Sequence, residues 1–222
     1  MKSRNSNLKK LCFFLWSFLF ILIIFELYPS FAEDHRAEWN VVQFEMDWEK
    51  GKAPKWYMGP LLAKEIFAPI IYKYKGDIKL WRFHRRASRD KSGHQFSFIF
   101  FAKKNAAELI FREVQEISLL NELSEKKYII RENYISTEKF EEGEYSDPHW
   151  SSEMQAAWPE YAMGFSKLWL RLIFIYDTEL PMGKNMIEHY MRVEEKLSGE
   201  WRNSATHAFF HHVHAMFAYV KS

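Results

Sequence analysis

The chain has 222 residues, with 31 Lys and Arg against 29 Asp and Glu, and one cysteine. That cysteine, Cys12, excludes an internal disulfide framework and a thiolate metal cage. The positive excess lies in residues 1–32. Residues 33–222 hold 27 basic and 28 acidic side chains, a balance that does not recommend nucleic acid as a partner.

Residues 1–10, "MKSRNSNLKK", carry Lys2, Arg4, Lys9 and Lys10 and no acid. Residues 11–25, "LCFFLWSFLFILIIF", are apolar except for Ser17, and Ser30 and Ala32 place small side chains before Glu33. A basic region, an apolar core and a small-residue site predict a secretory signal peptide over 1–32, and hence an exported, periplasmic or extracellular protein. The alternative is a membrane anchor over residues 11–28, a stretch close to the roughly 17–25 residues that span a bilayer. Cys12 follows "KKL", so it lacks the small-residue box of a lipid-modified cysteine. Residues 33–222 are the length of one domain, and aromatic residues at 18% of the chain supply ample core material.

Residues 39–48, "WNVVQFEMDW", alternate Val42, Phe44, Met46 and Trp48 with Gln43, Glu45 and Asp47, the pattern of a half-buried strand. After the loop "EKGKAPKWYMGP", Pro60 opens a helix through Leu61, Leu62, Ile66 and Phe67, with a break or kink expected near Pro69. Residues 75–77, "KGD", read as a turn. Residues 78–86 and 94–102 read as two strands joined by "SRDKSG". Ala107, Ile110, Phe111, Val114 and Ile117 predict a helix over 105–123, and "YIIRENYIS" over 128–136 predicts a fourth strand.

The order is β-α-β-β-α-β, the ferredoxin-like pattern, within an α+β fold. An acidic connector, "EKFEEGEYSDPHW", leads to an all-helical part over 150–222, expected to pack on the ferredoxin-like part over 33–137 as one domain. Its predicted helices are 152–157, 158–176, one from about Asn185 to Gly199, and one from Asn203 or Ser204 to Val220. The stretch "WRFHRRASRDKSGHQFSFIFF" and the element order resemble, in outline, the C-terminal domain of lantibiotic dehydratases. The likeness covers that hairpin and the order only. Gln95, Ser97 and Ile99 stand where that family's second strand alternates arginines. The resemblance implies a fold and carries no activity with it.

Two side-chain sets point to chemistry. On the strand over 78–86, Arg82, His84 and Arg86 alternate with Trp81, Phe83 and Arg85. If Trp81 and Phe83 enter the core, the other row forms a polar face with Gln95 and Ser97, and with Gln43, Glu45 and Asp47. Guanidinium forks hold carboxylate or phosphate in two bonds, so a small anionic ligand fits there. His84 or His94 beside a carboxylate could act as a general base. On the last helix, His207, His211 and His214 share a face separate from the apolar stripe of Phe209, Phe210, Val213, Met216 and Phe217. With His189 they could ligate zinc or copper, or present an axial ligand to haem.

The first expectation is an exported binding module for a small ligand at the Arg82/His84/Arg86 face. The second is a metal- or haem-dependent protein or enzyme using the histidine face. The third is a homodimer formed through the open face of the sheet.

Overall fold

Alternating side chains build four strands: β1 (Ala37–Met46), β2 (Leu80–Ala87), β3 (His94–Lys103) and β4 (Ile129–Thr137). This computed structural model describes residues 37–90, 93–137 and 149–216. The leader expected over 1–32, most of the acidic connector and the last helix beyond Met216 lie outside the described residues. The strands form one sheet in the order β2-β3-β1-β4, with every neighbouring pair antiparallel. The fold is a mixture of helix and sheet, as the sequence predicts.

Register decides which side chains meet. Val42 pairs with Phe98 and Phe44 with Phe96, while Trp81 and Phe83 of β2 face Phe100 and Phe98. These side chains share one face of the sheet, and a helical segment covers them. It begins as α1 (Met58–Leu61), widens into a π-helical segment (Leu62–Phe67) and ends as α2 (Ala68–Lys73). Leu61, Leu62, Ile66, Phe67 and Ile70 are all buried on this face. The Phe67 ring lies 4.7 Å from Phe98 and 5.8 Å from Phe44, centroid to centroid.

The helix does not break near Pro69. Pro69 has no N–H to donate and its ring crowds the carbonyl four residues back. The π segment ends immediately before this site, and a widened turn is a standard way to absorb such a defect while the apolar stripe stays on the sheet.

The helix expected over 105–123 is two helices, α3 (Lys104–Gln115) and α4 (Ser118–Glu125). The Glu116 N–H still donates to Arg112 O at 3.1 Å, but Ile117 turns to extended backbone and redirects the chain. Ala107, Ile110 and Val114 of α3 and Leu120 and Leu123 of α4 enter the same core as the sheet.

In the C-terminal half the expected divisions at Pro159 and Gly199 do not occur. Helix α5 runs unbroken over Ser152–Glu179, capped by Ser151 Oγ, which accepts from Met154 N at 3.3 Å. One missing hydrogen bond at Pro159 is set against burial of Pro159, Ala162, Ser166, Ile173 and Tyr176 along the helix. Helix α6 (Met186–Glu200) is capped by Asn185 Oδ1, which accepts from Glu188 N at 3.0 Å. It passes through Gly199 into a second π segment (Trp201–Ala205) and then into α7 (Thr206–Met216). Gly199 keeps helical backbone here, so it provides no stop.

Helix α5 lies along β2, the outer strand of the sheet. Ser166 Oγ accepts the Phe83 N–H at 3.0 Å and donates to Ala162 O at 2.8 Å. An outer strand otherwise presents unpaired backbone groups, and this hydroxyl satisfies one of them. Ser166→Ala is expected to leave the Phe83 N–H without its acceptor and to cost about 1–3 kcal/mol, read as a lower denaturation midpoint with an unchanged m value.

Candidate functional site

Arg85 continues the core-facing row of β2 after Trp81 and Phe83, opposite Phe96. Its guanidinium carbon lies 5.1 Å from the ring centroid of Trp56 and 5.1 Å from that of Trp169. Nη2 donates to Trp56 O at 2.8 Å and pairs with Glu194 Oε1 of α6 at 2.9 Å. The Arg85 and Glu194 side chains are only 23% and 16% exposed. A Cβ at Gly59 would lie 2.9 Å from Arg85 Nε, so any larger residue there would push the guanidinium from its place.

Trp56 is itself positioned by His94, the first residue of β3. The two rings meet edge to face at 5.1 Å, and His94 Nδ1 lies 3.1 Å from Arg86 O. Burial lowers the His94 pKa from its ordinary value. Burial acts in the opposite direction on Glu194, raising its pKa, and the Arg85 charge only partly offsets that. Glu194 Oε2 is buried and has no hydrogen-bond partner among the described residues.

Beside this pair lies a cleft of about 720 Å³ between β2, α5, α6 and the second π segment. Phe83, Phe165, Leu168, Trp169 and Leu172 form one side, and Leu197, Trp201 and Ala205 the other. Phe165 and Trp201, one from each side, touch edge to face at 5.4 Å. The hydroxyls on its wall are engaged: Ser166 Oγ in the two bonds to β2 and Ala162, and Ser198 Oγ with Glu195 O at 3.2 Å. The volume and apolar walls match those of small-molecule sites, which typically measure about 300–1,000 Å³.

No known family model, characterised protein or solved structure matches this chain. The geometry of its own residues is therefore what bears on function.

Arg82, His84, Arg86, Gln95 and Ser97 do share the other face of the sheet. Arg86 pairs in register with Gln95 and His84 with Ser97. A polar row crosses three strands there. Asn133 Nδ2 donates to Gln43 Oε1 at 3.1 Å, and Gln43 Nε2 donates to Gln95 Oε1 at 3.2 Å. Arg86 is paired with Asp90, and His84 is exposed. Partial burial, then the charges of Arg82 and Arg86, hold the His84 pKa below its ordinary value.

The histidine face divides. His207 and His211 stand one turn apart on α7, exposed, with ring centroids 6.3 Å apart, and His214 is exposed beyond them. His189 is buried instead, its Nε2 2.9 Å from Asp177 Oδ1 of α5. Among the described residues no three His, Cys, Asp or Glu side chains converge to hold a metal ion.

Arg85 and Glu194 have a signal in the sequence. Arg85 is a charge in a row whose other members, Trp81 and Phe83, belong to the core, so it requires a buried partner. Glu194 lies beside Tyr190, Val193 and Leu197 on the buried stripe of α6, an acid on an apolar face. Which acid meets which base is a long-range fact that neither pattern contains.

Arg85→Ala strands the Glu194 carboxylate and is expected to cost about 3–5 kcal/mol in chemical denaturation, whereas the Arg85→Met/Glu194→Leu double variant should be near neutral or more stable. The raised Glu194 pKa also sets a pH dependence. Folding favours the protonated acid, so its contribution is fully present below the ordinary value of 4.5 and is lost as pH rises through the folded pKa. The melting temperature of the wild type minus that of Glu194→Gln should therefore fall as pH rises above about 4.5.

Proposed function

We propose that this chain is a small-molecule-binding module whose ligand occupies the cleft between β2, α5, α6 and the second π segment. The observation behind it is the cleft itself, about 720 Å³ of mostly apolar, ring-lined space beside a buried ion pair. Such a space in water is costly unless a ligand covers its walls. The engaged Ser166 and Ser198 hydroxyls favour binding over nucleophilic chemistry here. The ligand thus sits against Phe83 and Arg85 of β2, and of the Arg82/His84/Arg86 row only His84 also lines the cleft.

The same reading takes the sheet and its covering helices as a ferredoxin-like unit. In support, β1 and β3 are central and β2 and β4 lateral, and the connections β1–β2 and β3–β4 are both helical. It also takes the protein as exported, on the basic, apolar and small-residue pattern of residues 1–32. Among the described residues no helix is long and apolar enough to cross a membrane. Expression with the intact N-terminus in a secreting host should yield a product whose intact mass begins at Glu33.

A thermal-shift screen of small organic compounds tests the binding role. A compound at about 100 times its Kd is expected to add about 2.7 kcal/mol of stability. Ala205→Trp, which places an indole in the cleft, should abolish that gain while leaving the far-ultraviolet circular dichroism unchanged. If no compound stabilises the wild type, or if every stabilising compound acts equally on Ala205→Trp, the cleft is not a ligand site.

A further inference from the structure

We infer that the ligand of this cleft is an uncharged aromatic molecule, held by ring contacts with Trp169, Trp201, Phe165 and Phe83. The inference rests on the binding role proposed above and adds the chemical class.

The first support is the state of Arg85, Glu194, Glu200 and Arg202 on the wall. Arg85 is matched by Glu194 at 2.9 Å and by Trp56 O at 2.8 Å. Glu200 pairs with Lys196 at 2.8 Å, and Arg202 Nε donates to Ser198 O at 3.1 Å. The remaining Glu194 oxygen, Oε2, is sealed from solvent, so it offers a cationic ligand no accessible acceptor. An anion at Arg85 would have to displace Glu194 and leave that carboxylate buried and unpaired. Arg202 stands at the exposed rim, where a pair with a ligand charge adds little, and a charge placed deeper loses its hydration without gaining a counter-charge.

The second support is the wall itself. Phe165 stands edge-on to Trp201 at 5.4 Å and 85°, and Phe83 stands edge-on to Trp169 at 5.7 Å and 70°. Phe165 meets Phe209 in the same way at 5.2 Å and 86°. These rings are fixed by one another and by Arg85, so their arrangement does not wait for a ligand. Preformed aromatic walls favour a planar partner, because offset-stacked and edge-to-face contacts add attraction beyond simple area burial.

Titration calorimetry on the purified protein with four matched probes tests this: indole, tryptamine, indole-3-acetate and 1-octanol. Indole should bind at least about tenfold more tightly than each of the other three, a gap of about 1.4 kcal/mol. Ala205→Trp should remove indole binding, and Leu168→Trp serves if that variant fails to fold. A preference below about tenfold over tryptamine or indole-3-acetate overturns the uncharged class, and one below about tenfold over 1-octanol overturns the aromatic one. In either case binding that is lost in the cleft variants leaves the cleft's role standing. If no probe binds and the wider screen finds no ligand, the binding role fails and the inference fails with it. Binding that survives both variants lies elsewhere on the molecule and overturns the inference.

Discussion

A guanidinium placed among aromatic rings is the constraint around which this structure is arranged. Arg85 sits where an apolar side chain would continue the core of the sheet, and a buried charge is tolerated only when it is paired and hydrogen-bonded. Its partners come from three places: Trp56 from the loop before α1, Trp169 from α5 and Glu194 from α6. Satisfying one side chain therefore fixes the loop and both long helices against the outer strand. Gly59 belongs to the same constraint, since any Cβ there would meet the guanidinium. Apolar residues of similar volume can fill such a site without loss of stability, so what the pair adds is its directed contacts to Trp56 O and between β2 and α6.

A second polar junction lies on the other side of the helix pair and works with the first. The π segment Leu62–Phe67 carries Lys64 and Glu65. Lys64 reaches Asp177 of α5 at 3.2 Å, Asp177 meets His189 of α6 at 2.9 Å, and Tyr190 of α6 donates to Glu65. Between the two junctions, Tyr190, Val193 and Leu197 fill the apolar contact. Two separated polar anchors on one rigid helix restrict both its rotation and its translation, which apolar packing alone specifies weakly. Helix α6 then has a defined phase, and it continues into Trp201–Ala205, whose residues reach the cleft wall in consequence.

The strands were legible because a half-buried sheet imposes a two-residue period that Val42, Phe44 and Met46, or Phe96, Phe98 and Phe100, display directly. Helix limits were less legible. Pro69 and Pro159 are local signals for a break, yet the helices run on through them and bury Ile66, Phe67 and Ile70, and Ala162, Ser166 and Ile173. Propensity yields to tertiary packing on that scale. Gly199 also keeps helical backbone, although α7 beyond it buries no residue. Ile117 shows the reverse: the apolar period ran on through it, while the backbone turned to extended geometry to place Leu120 and Leu123 in the core. The shared face of Arg82, His84, Arg86, Gln95 and Ser97 followed from alternation alone. The meeting of Arg85 with Glu194 did not, because the two residues lie far apart in sequence and their helix and strand are brought together only by the fold.

The cleft inherits its character from these structural demands. Arg85 and Glu194 hold β2 to α6, Ser166 closes the edge of β2, and Lys196 holds Glu200, so these polar groups are committed before any ligand arrives. Groups already engaged in folding offer little differential interaction to a partner, because binding to them would undo bonds that stabilise the protein. What is left to face a ligand is the surface of Phe83, Phe165, Trp169 and Trp201. Selectivity at such a wall comes from shape and from ring geometry. The ion pair contributes to this wall more by rigidity than by charge.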